Sequence, residues 1–167
     1  MWRRRSPVDI FITESALAQI ASECGKFDSH ETGGILIGYH YEDSITISHV
    51  TGPGPRALHA PDHLELDLSF ISKQLKKHEK SLPVGYEGNW HSHPGQRFIR
   101  PSRVDEALQR DIIRSDDYDI DTVLLVIVPE SPIHLSDFHC FVFSSRWESY
   151  RKAKPKKCIE PFLSRNS

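Results

Sequence analysis

The 167-residue chain has few cysteines and no long hydrophobic run. Its three cysteines, Cys24, Cys140 and Cys158, lie far apart and form no CxxC pair. This spacing argues against a disulfide framework and for a reducing compartment. No apolar stretch approaches the roughly 20 residues of a membrane helix. The arginine run near the start is followed by acidic residues rather than by an apolar segment, so a secretory signal is not expected. These absences predict a soluble, cytoplasmic protein.

Neither sign of charge dominates the composition. The 21 lysines and arginines nearly balance the 23 acidic residues and give a net charge of -2. A global basic field for nucleic acid is therefore not expected. Basic residues do cluster at 3–5 and 151–157, and each run fits either a solvated terminus or a surface for an acidic partner protein. We expect one domain over residues 1–150 and a basic C-terminal tail over 151–167.

The hydrophobic pattern predicts strands alternating with helices. Strands are expected at 8–12, 33–41, 44–50, 64–68, 84–93, 122–128 and 134–144. Helices are expected from Thr13 to Gly25, from Leu68 to Pro83, from Ser102 with Val104, Leu108 and Ile112 directed inward, and around Trp147 and Tyr150. Because strands and helices are mixed along the chain, the pattern predicts an α+β sandwich in which helices pack on a curved sheet.

His91 and His93 form the most informative pair of residues. Side chains at i and i+2 of a strand point to the same face, so both imidazoles can converge on one metal ion. Ser92 between them points to the opposite face. A lone histidine is more often structural, but two on one face of a strand end, followed by Pro94, favour a metal site.

Ser102 and Asp105 allow two interpretations. The pattern S-x-x-D before an apolar helical stripe is typical of a capping box, which needs no metal. Asp105 in the first helical turn can equally be a third ligand beside the two histidines. Three protein ligands with one position left for water are typical of catalytic zinc. Two histidines and one carboxylate can also hold Fe(II) for oxygen chemistry.

Hydrolysis at such a centre needs an acid near the metal but not bound to it. Glu31 fits by its position at the start of a glycine-rich strand, although alone it would be interpreted as an exposed strand-entry residue. Glu87, which lies shortly before the histidine pair, is the rival candidate. The hydroxyl of Ser102 is available to donate to a developing oxyanion.

Taken together, the segments E-T-G-G from Glu31, H-S-H-P from His91 and S-x-x-D from Ser102 resemble the JAMM (MPN-plus) metalloisopeptidases. The resemblance extends over about residues 7–144, since the order of strands and helices is also similar. One departure is visible, because eight residues separate His93 from Ser102 where the family pattern has seven.

The resemblance implies a cytidine-deaminase-like JAB/MPN sandwich that binds one zinc ion. His91, His93 and Asp105 would bind the ion, Glu31 would be the general acid and base, and Ser102 would steady the tetrahedral intermediate. The activity implied is a zinc-dependent isopeptidase that cleaves the amide after the C-terminal tail of a ubiquitin-like or otherwise conjugated protein.

The segments E-T-G-G-I-L-I-G and G-N-W-H-S-H-P are similar to the prokaryotic branch, and most similar to deconjugating peptidases of bacterial antiphage operons. That similarity implies E1-like and E2-like partners. Two other functions stay open. One is a non-catalytic scaffold module of the same fold, which predicts missing ligands, whereas every ligand position is filled here. The other is a DNA-repair-associated protein of this fold, which the near-neutral charge disfavours.

Overall fold

The computed structural model describes residues 8–159, which form one large sheet, one small sheet and three α-helices. The strands are β1 (Asp9–Thr13), β2 (Gly33–Tyr41), β3 (Ser44–Val50), β4 (Leu58–Ala60), β5 (His63–Glu65), β6 (Gly85–Ser92), β7 (Thr122–Val128), β8 (His139–Ser144), β9 (Arg151–Ala153) and β10 (Pro155–Cys158). The helices are α1 (Glu14–Cys24), α2 (Leu68–Ser81) and α3 (Arg103–Arg114). None of these helices is both long and apolar enough to cross a membrane.

The large sheet is mixed and has the strand order β10-β1-β3-β2-β6-β7-β8-β9. Strand β1 runs parallel to β3 and β10, and β6 runs parallel to β7, whereas the other neighbours are antiparallel. Strands β4 and β5 form a separate antiparallel pair. The predicted α+β class is confirmed.

Helices cover both faces of the large sheet. On β7, Leu124 and Val126 belong to the core that includes Ile20 of α1, whereas Val123 and Leu125 face a second core with Ile113 of α3. Helix α2 packs over β2 and β6 on a third cluster. Because β7 is covered on both faces, its sequence is a continuous apolar run rather than an alternating one.

Helix α1 begins and ends where its sequence predicts. The hydroxyl of Thr13 accepts a hydrogen bond from the main-chain N–H of Ala16 at 3.2 Å, which caps the first turn. The apolar pattern predicts a stripe of Leu17, Ile20, Ala21 and Cys24; Ala21 is half-buried and the other three are buried, and Gly25 follows the last turn.

Helix α3 is rotated relative to the prediction, so the expected inward stripe is wrong. Val104 is 77% exposed and Leu108 is 50% exposed. The buried side chain is Gln109, whose Oε1 accepts a hydrogen bond from Asn89 on β6 at 3.5 Å. The polar pair satisfies itself between helix and sheet. Val104 and Leu108 lie on the outer side, whereas Ile113 packs on the second core.

The predicted final helix around Trp147 and Tyr150 is also wrong, because the chain there turns and enters β9. Strand β9 pairs with β8, and β10 pairs with β1 after the single residue Lys154. Residues 151–158 therefore join the two edges of the sheet, which is nearly closed. The pairing of β10 with β1 connects residues more than 140 positions apart, so no local sequence pattern indicates it.

Part of the basic run at 151–157 has acidic partners within the fold. The ammonium of Lys156 lies 3.1 Å from a carboxylate oxygen of Asp9, and that of Lys157 lies 3.4 Å from one of Glu14. The guanidinium of Arg151 lies 4.0 Å from the ring centre of Trp147. The arginines at 3–5 and residues 160–167 lie outside the described residues.

Three smaller predictions need correction. Of the strand predicted at 64–68, only the first residues belong to β5, because Asp67 caps α2 by accepting from the N–H of Phe70 at 3.2 Å. Of the strand predicted at 134–144, residues Leu135–Asp137 form a 3-10 turn instead. Strand β4 lies in a segment rich in glycine and proline, from which we expect a loop rather than a strand.

The edge-joining strands provide a test of stability. A chain ending at Tyr150 should lose on the order of 3 kcal/mol of unfolding free energy relative to one ending at Ile159, because two strand ladders and the packing of Ala153 are lost. Urea denaturation of the two truncated chains measures the difference. Equal unfolding midpoints would contradict the role given to β9 and β10.

Candidate metal centre

The pairing of β2 with β6 forms the floor of the site. Gly33 lies opposite His91 in this antiparallel pair. A Cβ atom at Gly33 would lie 2.3 Å from the main-chain oxygen of Trp90 and 3.0 Å from Cβ of His91. Only glycine allows so close an approach. Gly33 therefore lets β2 and β6 meet directly beside the histidine pair.

The structure brings the three predicted ligand residues together. The Nε2 atoms of His91 and His93 lie 2.8 Å apart and face each other. One carboxylate oxygen of Asp105 lies 3.3 Å from Nε2 of His91, and the other lies 3.7 Å from Nε2 of His93. Within residues 8–159, these three form the one group whose ligand atoms cluster closely enough for a metal ion.

The local environment sets the protonation of these groups. Burial and the neighbouring imidazole of His91 lower the pKa of His93 to about 4. Burial raises the pKa of Asp105, but hydrogen bonds from His91 and Ser102 outweigh it, and the pKa falls to about 2. Near neutral pH, His93 is a neutral imidazole and Asp105 is a carboxylate, which are the forms that bind metal ions.

Ser102 caps helix α3 and thereby orients Asp105. The hydroxyl of Ser102 accepts from the main-chain N–H of Asp105 at 3.1 Å, and the Asp105 carboxylate accepts from the N–H of Ser102 at 2.7 Å. The capping interpretation is therefore confirmed. It is compatible with a ligand role, since the carboxylate oxygen nearer to His91 is not the one used in the cap. The hydroxyl hydrogen of Ser102 is free of this capping bond.

Glu31 lies in the same cleft as the cluster, whereas Glu87 does not. The cleft has a volume of about 810 Å³ and is lined by Glu31, both histidines, Ser102 and Asp105. Burial raises the pKa of Glu31 above its usual value, although the field of His91 acts in the opposite direction. Glu87 contacts His40 at 3.5 Å and lines a different cavity. Of the two candidate acids, the structure brings Glu31 to the cluster.

Apolar side chains form much of the cleft wall around the cluster. Phe98 is 78% exposed and lies in the loop 94–101, beside Arg97 and Arg100. Val104 and Leu108 of α3 line the same cleft, and so do two leucines of the β5 segment, Leu64 and Leu66. Exposed apolar residues that gather at one cleft are typical of an interaction site, whereas single exposed apolar residues are not.

The hairpin of β4 and β5 is the part of the site that the sequence did not indicate. The N–H of Glu31 donates to the main-chain oxygen of Ala60 at 2.8 Å, and Nδ1 of His59 donates to the main-chain oxygen of Glu31 at 2.8 Å. Glu31 is thus held through its main chain. No motif marks such contacts, because they involve backbone atoms across a loop.

The residues present suit a bound zinc ion. Two imidazole nitrogens and one carboxylate converge, and the cluster opens into the cleft rather than being closed by a fourth protein ligand. Two nitrogens and one oxygen with an open position match the ligand set of catalytic zinc sites. The three residues could therefore hold a single zinc ion.

The sandwich and this open cluster define a JAB-type domain with a candidate mononuclear metal centre. A family model described as prokaryotic homologs of the JAB domain matches residues 13–142. The chain therefore belongs to the prokaryotic JAB-domain family.

Two curated relatives are similar over most of the chain. A probable metalloprotease of Sinorhizobium fredii is 27% identical over 112 residues, which cover 65% of this chain and 68% of the relative. A CD-NTase/cGAS isopeptidase of Enterobacter hormaechei is 32% identical over 125 residues, which cover 74% of this chain and 68% of the relative.

A solved structure shares the fold. The solution structure of a Desulfitobacterium hafniense protein matches 90% of this chain and 94% of its own chain with a TM-score of 0.66. Because the two sequences are only 18% identical, this likeness shows a shared fold and nothing about function.

Zinc titration tests the ligand set. We expect one zinc ion per chain, and Asp105→Asn should weaken binding by roughly 100-fold or more, because even outer-shell changes cost 10–100-fold at such sites. The asparagine keeps an oxygen for the helix cap. Competition with a chromophoric chelator measures the affinity.

Ser102→Ala is the matched control for this titration. It removes the capping hydroxyl and should cost about 1 kcal/mol of stability, but it leaves all three ligands in place. Wild-type zinc affinity in Asp105→Asn would exclude Asp105 as a ligand.

Proposed function

We propose that this protein is a zinc-dependent isopeptidase. It hydrolyses the amide bond after the C-terminal tail of a ubiquitin-like or otherwise conjugated protein. The observation that carries the proposal is the half-buried carboxyl of Glu31 in one cleft with the open cluster of His91, His93 and Asp105. The names of the two relatives, a metalloprotease and an isopeptidase, support the same class of reaction.

Each ligand residue has a defined task in this reaction. His91, His93 and Asp105 would hold one zinc ion, with the cap at Ser102 fixing the direction of the Asp105 carboxylate. A bound zinc ion supplies a water of lowered pKa and polarises the carbonyl of the scissile amide.

Glu31 carries the proton in the proposed reaction. Its carboxylate takes a proton from the attacking water and delivers it to the leaving amine nitrogen as the C–N bond breaks. Burial raises the pKa of Glu31, which makes its carboxylate a better proton acceptor than an exposed glutamate and so suits this double role. Ser102 lines the cleft and would donate its hydroxyl hydrogen to the oxyanion that forms at the carbonyl.

The cleft fits an extended, partly apolar tail. Phe98, Val104 and Leu108 offer apolar contacts, and Arg97 and Arg100 offer positive charge to carboxylates of the substrate. A tail in extended conformation presents alternate side chains to such a wall. The likeness to a protein named CD-NTase/cGAS isopeptidase supports a conjugated protein as substrate. E1-like and E2-like partners and a role in antiviral defence in the cytoplasm belong to the same proposal.

Replacing the proton carrier tests the reaction. Glu31→Gln should lower kcat on a ubiquitin-like protein with a fused C-terminal tail by about 10²–10⁴-fold, because the amide cannot accept the proton. Gel-based cleavage assays with zinc-loaded enzyme measure the rate. Glu87→Gln is the matched control and should keep the wild-type rate, since Glu87 lines another cavity.

Two outcomes would contradict this proposal. Cleavage by Glu31→Gln at the full rate would remove Glu31 from its role. A purified protein that neither contains zinc nor gains activity from added zinc would favour a non-catalytic scaffold of the same fold.

The apolar wall provides a separate prediction. Phe98→Ala should raise KM for the fused-tail substrate by roughly tenfold with little change in kcat, because it removes binding that is equal in the ground and transition states. Ile133→Ala is the control, since Ile133 is 80% exposed and does not line the cleft. A fall in kcat at unchanged KM would show that Phe98 does not bind the tail.

A further inference from the structure

Glu31 lies just outside the ladder that joins β2 to β6. The last contacts of that ladder belong to Thr32, whose N–H donates to the hydroxyl of Ser92 at 3.0 Å and whose oxygen accepts from the N–H of Ser92 at 2.8 Å. The main-chain N–H and C=O of Glu31 instead bond to Ala60 and His59. Its placement therefore depends on the β4 segment.

The contact from His59 is a defined donor bond. Nδ1 of His59 lies 2.8 Å from the main-chain oxygen of Glu31. A carbonyl oxygen can only accept, so Nδ1 carries the hydrogen. An imidazole with hydrogen on Nδ1 can make this bond in its neutral or its charged form.

The ring of His59 is itself fixed by stacking. Its centroid lies 3.8 Å from that of Phe27, and the two ring planes are inclined by 14°. Phe27 follows α1, which packs on β3. The stack therefore connects the main chain at Glu31 to the body of the sandwich rather than to the hairpin alone.

We propose that His59 is a positioning residue for Glu31, which rests on the proposed function of Glu31 as proton carrier. The donor bond from His59 holds the Glu31 backbone, and the stack on Phe27 holds the His59 ring. The carboxyl is thereby kept where it can pass a proton between the water and the leaving nitrogen. Small displacements of such a group cost much of its catalytic effect.

Two substitutions separate the effect of the Nδ1 hydrogen-bond donor of His59 from the effect of its stacked ring. His59→Phe keeps a ring to stack on Phe27 but has no donor. His59→Asn loses the ring but keeps a side-chain N–H, attached as many bonds from Cα as Nδ1 is. His78→Phe is the matched control, because Nδ1 of His78 also donates to a main-chain oxygen, that of Gln74 at 2.8 Å in its own helix.

We expect kcat to fall only when the side chain at position 59 lacks a hydrogen-bond donor. His59→Phe should lower kcat on the fused-tail substrate by roughly 10–100-fold, with KM and zinc content unchanged. His59→Asn should recover most of the rate, and His78→Phe should equal wild type. Unchanged kcat in His59→Phe, an effect confined to KM, or equal losses in His59→Phe and His59→Asn would each overturn the proposal.

A second measurement does not depend on activity. Amide hydrogen exchange at Glu31 in the zinc-loaded protein should speed up in His59→Phe but not in His59→Asn, since only the former loses the bond to the Glu31 main chain. If wild-type protein cleaves no substrate, the proposed function fails, and exchange alone decides the structural claim. Unchanged exchange at Glu31 in His59→Phe would refute the positioning role.

Discussion

The close antiparallel contact between β2 and β6 is the constraint on which the site depends. Gly33 lies opposite His91, and the contacts of Thr32 with Ser92 continue the same register by one residue. Glu31 precedes Thr32 in the chain and lines the same cleft face as His91. Because Gly33 has no side chain, this face stays open between the acid and the histidines. This register and the main-chain bonds of Glu31 to the β4 segment together place the candidate acid in one cleft with the candidate metal ligands.

Around that contact, the local environment sets the protonation of the imidazole and carboxyl groups of the site. The low pKa of His93 and the low pKa of Asp105 leave one ring neutral and one carboxylate charged near neutral pH. Burial also raises the pKa of Glu31, since it disfavours the charged form of a carboxyl as it does that of an imidazole. Two carboxyl groups in one cleft thus have pKa values pushed apart, which is the pattern that separates a ligand from a proton carrier.

The sequence predicted the site better than it predicted the surroundings of the site. His91, His93 and Asp105 meet because strand geometry and a capping box are local rules, readable from spacing. The hairpin of β4 and β5 follows a stretch whose glycines and prolines indicate a loop, and the pairing of β10 with β1 joins residues more than 140 positions apart, so periodicity could not indicate either of them. The role of Ser102 as a helix cap is shown, whereas its role toward an oxyanion stays a prediction.

The rotation of α3 shows how the metal cluster and the cleft wall are connected. Asp105 faces the histidines, and the residue three positions further along a helix lies on nearly the same side. Leu108 therefore lies over the cleft and is half exposed, while Gln109 turns to the sheet and bonds to Asn89. Apolar periodicity alone would predict Leu108 on the inner side of α3. The cap at Ser102 and the position of Asp105 instead set the rotation of the helix about its axis. Val104 and Leu108 thus stay exposed at the cleft. The same helix that orients a candidate ligand forms the wall against which the proposed substrate tail would lie.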